Sequence, residues 1–322
     1  MNKKIKLLAI SFIVLFSISS FAQTKEDAIN AYNKAVSLSA TDLPQAIKSM
    51  IESSEIAVKA GVEADTIGQM AQQQIPSLQY NYATALYNEK KIDEAITNFK
   101  LAYDYAVKYN DHTTKTKAAG LLPKIYLSKG ANEYKAGTFA AAVDSYQKAL
   151  AYDSTMARAY LNMGLAYKKL NKDAEMKQAF NQAIEKGTAT HDEKTVEAAR
   201  KTMSNDLLVD ASGAFKKNDF KQTVALLGDA VKYSDTNPEI YYLYAVSLNK
   251  LSKWDDALAQ AEKGLAIEEN TDIKKARFYF EIGNSQAGKG ENGNACASYK
   301  KAAFGSFAES ANYQIKTVLK CK

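Results

Sequence analysis

Apolar and polar residues follow a helical period along most of the chain, most clearly between Tyr126 and Gly187, where one pattern is written twice. Tyr160, Met163, Gly164 and Tyr167 stand at i, i+3, i+4 and i+7, one face of a helix, and Phe180 and Ala183 mark the facing stripe of a second helix. Tyr126, Gly130, Tyr146 and Ala149 hold the same places 34 residues earlier. A fixed period of this size, with aromatic and small residues at set offsets, predicts helical hairpins that bury their apolar sides only against their neighbours. Gly164 is expected where two helices would otherwise collide, and Ala149 and Ala183 are small for the same reason.

These residues resemble the tetratricopeptide repeat (TPR), whose 34 positions favour an aromatic at 4, Leu at 7, Gly or Ala at 8, Tyr at 11, Ala at 20, an aromatic at 24 and Ala at 27. Tyr160, Met163, Gly164, Tyr167, Phe180 and Ala183 match it, with Met176 departing at position 20. In the preceding copy Phe139, Ala142, Tyr146 and Ala149 match positions 17, 20, 24 and 27, while Lys129 and Glu133 depart at 7 and 11. The resemblance implies an all-α fold, an α-solenoid of about seven TPR-like hairpins with a C-terminal capping helix.

Position 17, where each second helix should begin, falls at Leu43, Ile92, Phe139, Asp173, Phe220, Trp254 and Asn292. Three of the intervals approach 48 residues, so 13 to 15 residues, almost four helical turns, are inserted between some hairpins and predict extended helices. Pro76, Pro123 and Pro238 fall on position 1 of their repeats, which suits either a helix start or a kink inside a longer helix. Pro44 follows Thr41 and Asp42 in a capping arrangement at the start of the first hairpin's second helix.

At the amino end, Lys3, Lys4 and Lys6 precede an apolar run from Leu7 to Ile18 and a small-x-small site at Ser20, Phe21 and Ala22. Residues 1–22 therefore read as a secretory signal peptide, since the run is shorter than the roughly 20 residues of a membrane span. Residues 23–322 are expected to form a single solenoid domain, with hairpins near positions 43, 92, 139, 173, 220, 254 and 292 and a cap over 306–319. Loss of the signal would leave 39 basic and 36 acidic residues, a net charge of +3. Lysines are interspersed with carboxylates along helices, as on a solvated face, and not clustered as a nucleic-acid surface would require. No membrane span is expected after cleavage.

Signals for chemistry are sparse. His112, Lys115 and Thr116 reappear as His191, Lys194 and Thr195, each set followed by an alanine pair, Ala118 with Ala119 and Ala198 with Ala199. With no second ligand at i+3 or i+4, these histidines read as helix starts, and neither a metal nor a cofactor is expected. Gly288, Gly290 and Gly293 spell G-x-G-x-x-G, but the dinucleotide motif needs a preceding strand and a helix is predicted there. Cys296 and Cys321 are the only cysteines. In an exported protein they are a disulfide candidate that would tie the closing helix to the last hairpin, the alternative being two thiols. No catalytic set is found, and the chain is read as a non-enzyme.

The resemblance also implies a concave wall built from the first helices. Its position 5 reads Tyr80, Leu127, Leu161, Leu208, Tyr242 and Phe280, all apolar or aromatic. Tyr87, Tyr134 and Phe215 at position 12 add aromatic anchors, with Arg158, Leu165, Lys168, Asn249 and Asn284 alongside. Exposed, such a stripe suits an apolar peptide or an amphipathic helix; packed on neighbouring helices, it would be core. The function expected is that of a periplasmic adaptor or scaffold holding protein partners, by analogy those of an envelope machine for secretion, motility or outer-membrane assembly. The alternative is a glycan or peptidoglycan binder that stacks sugars on Tyr80, Tyr134 and Tyr242.

Overall fold

Good helix formers broken at regular points by turn residues give a chain of helices and, among the described residues, no strand. The computed structural model describes residues 23–269 and 272–322, so the expected signal peptide lies outside the described residues. The helices pair as Lys25–Leu38 (α1) with Leu43–Ala60 (α2), Asp65–Asn88 (α3) with Ile92–Lys108 (α4), and His112–Lys135 (α5) with Phe139–Tyr152 (α6). Next come Ala157–Lys169 (α7) with Asp173–Ala189 (α8), Glu193–Lys216 (α9) with Phe220–Tyr233 (α10), and Pro238–Lys250 (α11) with Trp254–Ile267 (α12). Asp272–Gly288 (α13) with Asn292–Ala302 (α14) forms the last pair, before Ala308–Tyr313 (α15) and a wide turn over Gln314–Val318. All seven second helices begin at the residues expected for position 17.

Each of these second helices, apart from α2, is entered through the same short turn. Lys90, Gly137, Asn171, Asn218, Ser252 and Gly290 all have positive φ and all stand two residues before a helix. The following N–H then donates to the carbonyl five residues back, as Lys91 does to Leu86, Lys172 to Tyr167 and Glu291 to Gln286. This closes each preceding helix in a Schellman arrangement that satisfies carbonyls the helix leaves unpaired. The turn also sits between α4 and α5, at Asn110, and between α8 and α9, at His191.

That second use corrects the reading of the histidines. His112 is the first residue of α5, but His191 does not start a helix: it holds the left-handed turn position, and Asp192 caps α9 by accepting from the Thr195 N–H. The equivalent of Asp192 is Asp111, which accepts from the Thr114 N–H. The two segments therefore align with an offset of 81 residues, not 79, which brings together Thr114 with Thr195 and Ala118 with Ala199, all buried. At the same offset α4 to α7 coincide in both boundaries with α8 to α11.

The insertions are helical extensions, as expected. First helices α3, α5 and α9 have 24 residues where α7 and α11 have 13, and the extra turns lie at their N-terminal ends. Pro76 and Pro123 lie inside α3 and α5, whereas Pro238 is the first residue of α11, capped by Asn237. The turn at Gly290 joins two helices, which removes the strand a dinucleotide fingerprint would need.

The chain divides into two compact units, meeting between Ile125 and Tyr126 inside α5. In the first, Ala35 of α1, Ile47 and Met50 of α2 and Ala71, Ile75 and Leu78 of α3 form one core. In the second, Tyr146 of α6 packs with Met163 and Ala166 of α7 and Ala179 of α8, and Phe180 of α8 with Ala199 and Met203 of α9. Leu227 of α10 likewise packs with Ile240 and Leu243 of α11. Each cluster thus joins one hairpin to the next. At the end, Cys296 of α14 is bonded to Cys321, and Tyr299 and Ala302 of α14 pack on Ala311 of α15.

Candidate functional site

The first helices present their position-5 residues at one register, and the structure leaves every one of them half-buried. In the first unit Tyr80 meets Phe99 edge to face, centroids 5.2 Å apart, and Tyr87 is also half-buried. In the second unit Leu127 leans on the core shared by α6, α7 and α8, Leu161 and Leu165 on that of α8 and α9, and Leu208 on that of α9 to α11. Tyr242 packs edge to face on Phe278, and Phe280 on Tyr299 and Phe307. Leu127, Leu161, Leu208 and Tyr242 therefore seal joints between hairpins, Tyr80 and Phe280 pack within their own, and all keep part of their surface in water.

Position 12 serves the hairpin itself. Tyr134 meets Phe139 at 5.2 Å and Phe215 meets Phe220 at 5.6 Å, each pairing the end of a first helix with the start of its second. Arg158 is exposed at the start of α7. The Lys168 ammonium of α7 reaches Asp206 of α9 at 2.7 Å, so that cation ties adjacent first helices together. Beside Leu208, Val209 is 69% exposed, an apolar surface residue missed in the sequence because neither helical stripe predicts it.

Asn249, expected alongside the exposed stripe, is instead internal. It is buried, and its amide donates to the Glu281 carbonyl and to the Glu281 carboxylate at 2.8 Å while accepting from the Ser285 hydroxyl. Asn284 donates to the same carboxylate at 3.1 Å and accepts from the Tyr299 hydroxyl. Two predicted groove residues are thereby joined in one internal network around a carboxyl group the sequence reading had not singled out. Burial pushes the Glu281 carboxyl above the usual carboxylate range, against the two amides and the field of Lys250, which favour its charged form. Burial likewise pushes the Tyr242 and Tyr299 phenols up to about 12.

A second electrostatic tie lies nearby. The Arg277 guanidinium of α13 binds Glu239 of α11 and the buried Glu268 at 2.9 Å, and stacks over the rings of Tyr242 and Phe278. Among the described residues no group of three or more His, Cys, Asp or Glu side chains is placed to hold a metal ion. No helix among them is long and apolar enough to cross a membrane.

Residues 130–171 match the family model for the TPR repeat. No curated protein matches the chain. Among solved structures, a MamA protein is 20% identical over 62% of this chain and 96% of its own, with a TM-score of 0.34. YrrB, described as a TPR protein with an unusual peptide-binding site, is 20% identical over 61% of this chain and 88% of its own, with a TM-score of 0.32. A tetratricopeptide repeat protein from Parabacteroides merdae is 19% identical over 92% of this chain and 96% of its own, with a TM-score of 0.27.

Proposed function

We propose that this chain, a tetratricopeptide-repeat protein, is a non-enzymatic scaffold that holds segments of partner proteins along its first helices. The observation that carries this reading is the uniform state of position 5: the five residues in the second unit are all apolar or aromatic, all in one register and all half-buried. Apolar surface repeated at the same register of successive first helices and anchored from behind by packing gives a rigid set of contacts for an amphipathic helix or apolar peptide. Leu161, Leu165, Leu208 and exposed Val209 form its apolar part, and Arg158 its accessible charge. The sugar-stacking use of Tyr80, Tyr134 and Tyr242 is less well supported, because leucine fills position 5 in three of the units and a sugar site wants aromatic planes with polar neighbours.

The proposed setting is the bacterial envelope, after export and removal of residues 1–22, with the partner part of a secretion, motility or outer-membrane assembly machine. The signal-like sequence supports export, as does the Cys296–Cys321 bond, which suits an oxidising compartment. The first helix is capped by Thr24, which accepts from the Asp27 N–H just beyond the expected cleavage point. Site-specific photo-cross-linking in envelope fractions tests the reading. Probes at Leu161 and Leu208 should give discrete protein adducts, and a probe at Lys177 on α8 should not. Adducts at none of the three, or equal adducts at all, would refute it.

A further inference from the structure

The helical extensions create a feature that a plain row of hairpins lacks. In the first unit the N-terminal turns of α3 lie beside α2 and the end of α4, and a cleft of about 510 Å³ opens among the three. Its aromatic wall is Tyr105 and Tyr109, one turn apart on α4 and stacked on each other, with ring planes 9° from parallel and centroids 6.1 Å apart. Both rings pack against the core of Ile47, Met50 and Ile75, which fixes them without burying them. Lys108 lies over the Tyr109 ring at 5.0 Å.

The polar groups around these rings keep hydrogen-bonding capacity to spare. Among the described residues neither phenol takes part in a hydrogen bond, and Glu55, Lys59 and Lys108 form no ion pair. Gln72 donates to the Ser54 hydroxyl at 3.1 Å, which leaves its amide oxygen free. An apolar side chain seated here would strip water from Glu55, Lys59 and Lys108 and return no hydrogen bond, a net cost. A sugar ring answers both halves of the cleft: its C–H face lies on an aromatic plane while its hydroxyls reach carboxylate, amide, ammonium and phenol. This is the combination of aromatic plane and polar neighbours that the leucine-lined wall of the second unit does not offer.

We propose that the cleft at Tyr105 and Tyr109 is a saccharide-binding site, sized for one or two pyranose rings and independent of the protein-binding wall. A printed array of neutral, amino and acidic oligosaccharides, probed with the full exported chain, identifies the sugar, and saturation-transfer NMR on the best hit locates the contact. Transfer should be strongest to one C–H face of a ring. Val58, 70% exposed on the cleft, can be changed without disturbing the core. Val58→Arg should weaken binding at least tenfold and Glu55→Gln several-fold, both with helicity unchanged, while Leu161→Asp should leave it intact. An array without signal, binding indifferent to Val58→Arg, or a cross-linker at Val58 that captures a protein in place of a glycan would each overturn the proposal.

Discussion

Single residues set the fit of each hairpin by trading a side chain on one helix for a ring on the other. A methyl group added at Gly130 would lie 2.6 Å from the Tyr146 ring, at Gly164 2.8 Å from Phe180, and at Gly283 2.8 Å from Tyr299. The three pairs share one register, position 8 against position 24. Phe180 is fully buried and has nowhere to move. Gly164→Ala should therefore destabilise by about 1–2 kcal/mol, overpacking outweighing the roughly 1 kcal/mol gained in helix propensity. Urea denaturation measures the loss, and adding Phe180→Leu should recover part of it. The turns give the opposite expectation. His191 is exposed at a φ of 56°, a place that Gly137 and Gly290 fill in equivalent turns. His191→Gly should stabilise by about 0.5–1 kcal/mol through relief of left-handed strain, visible as a raised urea midpoint with an unchanged slope.

At the scale of elements, α11 and α13 are held together by polar groups as much as by packing. Glu281 is buried with no cation in contact among the described residues, and its carboxyl titrates above the ordinary range because burial penalises the charge. The sign follows from linkage. A carboxyl whose pKa is raised on folding contributes stability that is fully present below its unfolded value, near pH 4.3, and is lost as pH rises through the folded value. Between those limits the wild-type protein should gain stability on acidification relative to Glu281→Gln, and at pH 8 the variant should be at least as stable. Thermal melts of both proteins across pH 4.5–8 check this. A parallel dependence would mean that the carboxyl is not the titrating group.

At the scale of the molecule, stability within the second unit is shared between neighbours, since the cores around Tyr146, Phe180 and Leu227 each join one hairpin to the next. Such chains open from weak points and ends, so a change at one end should stay local. The Cys296–Cys321 bond, closing a span of 25 residues, and the packing of Ala311 on Tyr299 hold the last helical segment. Reduction, or Cys296→Ala with Cys321→Ala, should lower stability there by roughly 3 kcal/mol. Hydrogen exchange should show faster amides in residues 305–322 and little change in α1 to α4. Acceleration throughout the chain would show that the terminal staple supports a single cooperative unit.

The sequence by itself determined the class of fold and the start of every second helix, because periodic apolar faces and turn residues are local signals that a hairpin must satisfy on its own. It gave Gly164 its role for the same reason. Other features came only with the tertiary structure. Pro76 and Pro123 fit a helix start and a helix interior equally well until neighbouring helices showed the extended form. His191 resembled His112 in its flanking residues, and only the backbone revealed a shift of two. Asn249 and Glu281 stand 32 residues apart and meet because α11 and α13 stack. The half-burial of the position-5 stripe and the cleft beside Tyr105 were decided in the same way, since exposure depends on how much of a side chain the next hairpin covers, and spacing along one helix does not record it.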